Sequence, residues 1–305
     1  MRISRSILSI PASNPRMIDK GLASDADIAF LDLEDAVAPN MKSEARAQAI
    51  ETLIHAEWRG KPRAVRLNPV GSPYFARDLV EIVEQAGGQL DLIILPKVDG
   101  PADLLSAARL LDGLEFGLNR VSPIGIEAQV ESAMGLMRCE ETATSSPRIE
   151  SLVFGPGDFS ASLGMPGRAI GVRDEWDRDY GADRLHYPMM RILVAARSAG
   201  IRAIDGPYAN FRDMEGLKAS ARRSKALGFD GKWCIHPAQI EAVNEVFSPD
   251  EAEIAAARAL VTAYEASMNA GSGAATHEGV MIDAASVRMA RAVLGIADRA
   301  QSGAS

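Results

Sequence analysis

Residues 92–97 read Leu92-Ile93-Ile94-Leu95-Pro96-Lys97. Four aliphatic residues in a row carry no two-fold alternation, so neither face of the segment is written for water. A run this short, closed by proline, reads as a strand covered on both faces, as in a parallel sheet. Seven more segments have the same form: Ser6–Pro11, Ile28–Leu33, Ala64–Asn68, Pro123–Ala128, Ser151–Phe154, Arg202–Asp205 and Lys232–Ile235. Each is brief, rich in Ile, Val, Leu or Phe, and bounded by Gly, Pro or an acidic residue. Helical patterns fill the intervals at Pro15–Leu22, Met41–Trp58, Ala76–Gln85, Pro101–Leu111, Ser132–Thr144, Leu185–Ala199, Met214–Leu227 and Asp250–Ala270. The first opens on Ser13-Asn14-Pro15, two capping residues and then proline at the first turn. Strands that alternate with helices in this way predict an α/β protein, a (β/α)8 TIM barrel. An open doubly wound sheet would want a glycine-rich phosphate turn after an early strand, and neither GxGxxG nor GxxxxGK[ST] occurs.

The 305 residues exceed what the barrel needs. Asn269–Gly279 is rich in Gly, Ala and Ser and reads as a linker, and Val280–Ala300 as one more amphipathic segment. The expected division is therefore a barrel over residues 1–268 and a C-terminal lid or arm over 269–305. Gly157–Arg184 is a long, irregular connection, and loops of that length in compact domains are commonly functional.

Composition narrows the function. Hydrophobic residues are 47% and charged residues 24%, the balance of a globular chain with a core. A net charge of −8 and only 5% aromatic residues argue against nucleic acid as a partner, leaving room for a local pocket for a small anion. Cys139 and Cys234 lie far apart and outside any CxxC, so neither a zinc ribbon nor a disulfide framework is expected. The opening residues are too short an apolar run for a signal peptide, and no segment has the ~18 apolar residues of a membrane span. A cytoplasmic protein with no membrane partner is the expectation.

In a barrel of this kind the chemistry lies at the C-terminal ends of the strands. Those ends carry Asp32, Glu34, Asp35, Glu127, Glu131, Asp158 and Asp205, against Arg66 and Lys97 as the evident cations. Gathering that many carboxylates costs free energy unless positive charge compensates. A bound divalent cation would do so, and oxygen donors without His or Cys favour Mg²⁺, or Mn²⁺, over zinc. Acids that merely cap helix N-termini are the plainer explanation of any one of them. Arg66 offers a rigid fork suited to a carboxylate or phosphate, or to an internal ion pair with one of the acids. Lys97 invites a Schiff-base reading, but neighbouring acids would hold it as the ammonium. Of the four histidines only His236 stands at a strand end, and no HExxH or GxSxG occurs.

Eight motifs in order resemble one family along nearly the whole chain. They are SILSIPASNPRM at Ser6–Met17, FLDLEDAVAP at Phe30–Pro39, VRLNP at Val65–Pro69, LPKV at Leu95–Val98, VESAMGL at Val130–Leu136, VFGPGDFSASL at Val153–Leu163, GFDGKWCIHPAQI at Gly228–Ile240 and MID at Met281–Asp283. The chain resembles the citrate lyase β-subunit-like (CitE-like) acyl-CoA lyases of the HpcH/HpaI aldolase superfamily, the group of the malyl-CoA and citramalyl-CoA lyases. The resemblance implies a Mg²⁺-dependent barrel enzyme that breaks or forms a carbon–carbon bond beside a CoA thioester, giving acetyl-CoA and a 2-oxo acid such as pyruvate or glyoxylate. It implies Glu131 and Asp158 as metal ligands, with Glu34 and Asp35 around them; Glu127, an acid outside the family's pattern, is expected near the metal as an alternative ligand. It implies Arg66, Lys97, Gly157 and Asp158 at the substrate, and Arg66 and Asp283 in catalysis. It also implies a homotrimer or hexamer in which the C-terminal lid, carrying Asp283, is exchanged between subunits.

Three features depart from the family's pattern. Ala12 stands where Gly is usual, Glu127 and Gln129 add an acid and an amide on strand five, and no proline follows Asp283. Alternatives remain open: a malyl-CoA-type thioesterase, a citrate lyase β subunit acting on a citryl thioester, a CoA-independent aldolase, or a non-catalytic CoA-binding barrel.

Overall fold

A computed structural model describes residues 2–118, 120, 122–269 and 271–302. In chain order its elements are β1 (Ser6–Pro11), α1 (Pro15–Leu22), β2 (Ile28–Asp32), α2 (Lys42–His55), β3 (Arg63–Arg66), α3 (Phe75–Ala86), β4 (Leu92–Leu95) and α4 (Pro101–Glu115). There follow β5 (Gly125–Val130), α5 (Ala133–Met137), α6 (Cys139–Ala143), β6 (Ile149–Phe154), α7 (Pro156–Ser162), α8 (Glu175–Tyr180), α9 (His186–Ser198), β7 (Arg202–Asp205) and α10 (Met214–Leu227). The chain continues with β8 (Gly231–Cys234), α11 (Ile240–Phe247), α12 (Glu251–Asn269), β9 (Ala275–His277), β10 (Val280–Ile282) and α13 (Ala284–Ser302). Strands β1 to β8 are parallel and close on themselves, with β1 against β8, so the chain has the (β/α)8 barrel fold.

Period-two geometry decides which residues enter the barrel. Ile7, Ile28, Phe30, Ala64, Leu92, Ile94, Val153, Ile204 and Trp233, taken from alternate strand positions, form the interior cluster. Strand β4 is buried at every position, which is what its continuous apolar run requires, and β5 is buried throughout although it carries Glu127 and Gln129. The same alternation carries polar residues inward. Asp32 and Arg66 are register partners across β2 and β3. Glu127 pairs in register with Ser151, and Ser151 with Arg202.

The helix signals operate as written. Asn14 accepts the Met17 backbone N–H at 3.2 Å and opens α1. Asp213 accepts from Gly216 at 2.9 Å and opens α10, which closes on Gly228 at φ +111°. Ser132–Thr144 is two short helices, α5 and α6, because the chain turns at Arg138. Helices α7, α8 and α11 had no counterpart in the sequence reading.

The molecule divides into two compact units, one through Asn244 and one from Glu245 onward. Helix α12 packs on α13 and so belongs with the second unit, and the sequence boundary at 268/269 falls inside that unit. The expected linker holds a strand. β9 and β10 form a hairpin in which His277 faces Val280, across Glu278 and Gly279 at φ +51° and +80°. Positive φ at both central residues is the geometry of a type I′ turn, whose twist suits a two-residue hairpin. Ala270, within the expected linker, lies outside the described residues.

Candidate active site

The C-terminal ends of β1, β2, β3, β5 and β8, with the segments that follow β6 and β7, line a cavity of about 400 Å³. Arg66, the last residue of β3, anchors its floor. Its Nε and Nη2 donate to the two carboxylate oxygens of Asp32 at 2.7 and 2.6 Å, a bidentate pair. Nη1 lies 3.2 Å from Glu34 and 3.4 Å from the Gln129 side-chain oxygen. The guanidinium also stands over the Phe30 and Trp233 rings, 5.9 and 5.5 Å from their centroids. Burial works against its charge, but Asp32 and Glu34 outweigh burial and raise its pKa. Arg66 is therefore a permanent cation whose fork is half taken by Asp32.

Lys97 follows β4 in a left-handed backbone conformation, φ +52°, uncommon for a side chain other than Gly or Asn. That turn sends its two polar groups to different carboxylates. The backbone N–H donates to Glu131 at 2.7 Å, while Nζ reaches Glu34 at 2.6 Å, Asp35 at 3.2 Å and Asp158 at 3.8 Å. Burial lowers its pKa, and the three acids more than reverse this. Ion pairs with three acids hold Lys97 as the ammonium, which argues against the Schiff-base reading.

Glu131 sits one residue beyond β5 and is buried. Besides Lys97 its partner is Gln129, whose Nε2 donates at 2.6 Å. A Cβ at Gly155 would lie 2.4 Å from the Glu131 carboxylate, so only glycine there admits this approach. Burial first, then the charge of Asp158, push the Glu131 carboxyl up to about 8. Asp158, in the first turn of α7, is half-exposed to the cavity.

These residues fit a magnesium ion. No cage of three or more His, Cys, Asp or Glu exists among the described residues. Mg²⁺ needs none, since it takes one or two carboxylates and keeps waters for the rest of its octahedron. Glu131, short of positive charge while Lys97 and Arg66 serve other acids, and Asp158 beside it offer that donor pair.

Glu127 does not join the group. It faces inward on the same strand, but four residues before Glu131 amount to about 13 Å along a strand. Its carboxylate lies 3.0 Å from Arg202, which also meets Glu150 at 3.1 Å. Asp205 is likewise elsewhere, facing α10, where it binds Lys232 and Ser224, each at 2.5 Å. Arg202 and Lys232 are thus two cations that the tally of strand-end charges missed. Gly157 lines the cavity. His236 stacks on Phe211 and caps a 3-10 turn.

The description of the HpcH/HpaI aldolase/citrate lyase family matches residues 5–237. The chain belongs to this family. As a member of it, the protein is an enzyme, a lyase. It is 40% identical over 299 residues to the L-malyl-CoA/β-methylmalyl-CoA lyase of Cereibacter sphaeroides, covering 96% of this chain and 94% of the relative. It is 35% identical over 296 residues to a (3S)-malyl-CoA thioesterase of the same species, with the same coverage. Among solved structures, the CitE protein of Mycobacterium tuberculosis in complex with magnesium, acetoacetate and coenzyme A superposes with a TM-score of 0.78 at 30% identity, covering 98% of this chain and all of that one. No helix among the described residues is long and apolar enough to cross a membrane.

Asp283 is on the second unit of this lyase family member, just before α13. Its Oδ1 accepts from the N–H groups of Ala285 at 2.9 Å and Ser286 at 3.0 Å, and these bonds hold its carboxyl below the usual range. It is an exposed helix cap.

Proposed function

We propose that this protein is a Mg²⁺-dependent acyl-CoA lyase that cleaves malyl-CoA or citramalyl-CoA to acetyl-CoA and a 2-oxo acid. What carries the reading is the pairing of buried Glu131 with Asp158 at the mouth of a cavity floored by Arg66. The names of the relatives support it, as does the magnesium and coenzyme A held by the structural neighbour. Mg²⁺ between Glu131 and Asp158 would supply a Lewis acid for the substrate's carboxylate and hydroxyl oxygens.

The protein's own groups do the rest. The bond between the hydroxyl-bearing carbon and the carbon next to the thioester breaks, and its electron pair remains on the latter as an enolate. The hydroxyl loses its proton and the enolate carbon gains one, so the proton count balances. Arg66 offsets negative charge at the floor. Lys97 fixes Glu34, Asp35 and Glu131 around the mouth. Asp283, brought to a neighbour's mouth in a homotrimer or hexamer, is the proposed proton donor to the enolate: a carboxylate at rest, it takes up the proton that the hydroxyl gives up, through water, and passes it to the enolate carbon.

The test is a product analysis. The full-length protein, with Mg²⁺ and then with a chelator, is given malyl-CoA and citramalyl-CoA, and acyl-CoA species and acids are followed by mass spectrometry. Chelator-sensitive acetyl-CoA with glyoxylate or pyruvate is expected. Free CoA with intact hydroxy acid would instead identify a thioesterase, the second reading, which the relative of that name keeps in view. Asp283→Asn tests the proton donor cleanly, because Asn is as good a cap as Asp. Turnover should fall by about 10²- to 10⁴-fold with α-helical content and Mg²⁺ affinity unchanged. Near-wild-type turnover removes Asp283 from the mechanism.

A further inference from the structure

Ile170 stands out against the polar side of the cavity. It is 44% exposed although aliphatic. It lines the 400 Å³ cavity on one side and, on the other, a second cavity of about 270 Å³ within the connection from α7 to α9. Its side chain lies directly over Gly157, where an added Cβ would sit 2.9 Å from its Cδ1 and 3.1 Å from its Cγ1. Gly157 immediately precedes Asp158, so this methyl-bearing wall borders the carboxylates at the mouth.

The backbone at this point is held independently of the side chain. The Ile170 carbonyl accepts the Ala209 N–H at 2.9 Å. Gly171, at φ +74°, approaches so closely that a Cβ there would lie 2.5 Å from the Pro207 carbonyl oxygen. The loop path is thus set by main-chain contacts to the segment after β7, and the group at 170 determines only how far the wall reaches into the cavity. Replacing it with a small residue would join the two cavities.

We propose that Ile170 is a specificity-determining residue, the wall that discriminates hydrogen from methyl on the hydroxyl-bearing carbon of the substrate. This rests on the lyase reading above. That carbon becomes the carbonyl carbon of the 2-oxo acid, so the wall sorts substrates yielding glyoxylate from those yielding pyruvate. Isoleucine favours the smaller group.

The test compares kcat/KM for malyl-CoA, citramalyl-CoA and β-methylmalyl-CoA in wild type, Ile170→Ala and Ile170→Phe. β-Methylmalyl-CoA carries its methyl on the thioester side of the breaking bond and serves as an internal control. Ile170→Ala should raise the citramalyl-to-malyl ratio by about tenfold or more, the usual worth of a methyl-sized space, and Ile170→Phe should lower it. The β-methylmalyl-to-malyl ratio should stay within about threefold, on the same scale. Calorimetry with Mg²⁺ should show pyruvate gaining on glyoxylate in Ile170→Ala. An unmoved citramalyl-to-malyl ratio in both variants, or movement of the β-methylmalyl ratio instead, overturns the assignment of Ile170 and leaves the lyase reading intact. A wild type that cleaves none of the three overturns both.

Discussion

Glu127 on β5 and Glu131 just past its end are almost equally shielded, at 0% and 3% exposure, yet their surroundings differ in charge. Around Glu127 the barrel supplies a full charge, Arg202, itself held by Glu150 and through it linked to Arg2 at 2.9 Å. Around Glu131 it supplies amides, from Lys97 and Gln129, and an open cavity. Burial raises the carboxyl of both, but the first acid is opposed by a full cation inside the scaffold, while the second is left wanting one. Burial alone does not mark a functional carboxylate. The mark is burial with the compensating charge missing and a space where it could enter.

The largest expected effect separates the two directly. Glu131→Gln should reduce turnover by more than about 10³-fold, the scale of losing a principal electrostatic or metal contact. The same variant should be more heat-stable than wild type at pH 9 in chelator, because the buried charge is gone. Glu127→Gln should do the reverse: a loss near 3 kcal/mol, about the low end for breaking a buried pair because Glu150 still holds Arg202, with turnover per folded molecule in the wild-type range. Urea unfolding and steady-state rates on the same preparations decide this, and equal activity losses in both would erase the distinction.

A smaller effect sharpens it. Gln129→Leu removes one of the two amides that orient Glu131 and should weaken Mg²⁺ binding by about 10- to 100-fold, measured by calorimetry, with little change in melting temperature. The pH dependence reads the same buried acid without touching a contact. Glu131 folds with its carboxyl raised to about 8, so its contribution is fully present below the unfolded value near 4.5 and is lost as pH rises through 8. Metal-free protein should therefore lose stability across that window, Glu131→Gln should flatten the loss, and saturating Mg²⁺ should reverse it with release of a proton. Parallel melting curves for wild type and Glu131→Gln across pH 5–9 would break the comparison.

Much of the barrel was legible because its elements obey local rules. Ser6–Pro11, Pro15–Leu22, Arg202–Asp205 and Met214–Leu227 fall on their sequence boundaries, each fixed by proline, a cap or a terminal glycine. The C-terminal hairpin was not legible. Glu278-Gly279 is an unusual I′ pair, and its flanking Ser, Gly and Ala read as a linker. The mouth acids were legible as a set, since strand ends converge in any such barrel. Their partners were not. Arg202 reaches Glu127 through the register of three strands, and no local pattern announces a register. The same holds for Ile170, an ordinary aliphatic residue in an irregular loop until the structure places it over Gly157.

The left-handed turn at Lys97 has a further consequence. Its main chain holds Glu131 and its side chain holds Glu34, so the two acids are joined in series through a single residue. Neutralising either one releases one end of Lys97 and loosens its grip on the other. Free-energy changes at Glu34 and Glu131 will therefore not add, and a double-mutant cycle across them will show a coupling energy, although no bond joins the two side chains.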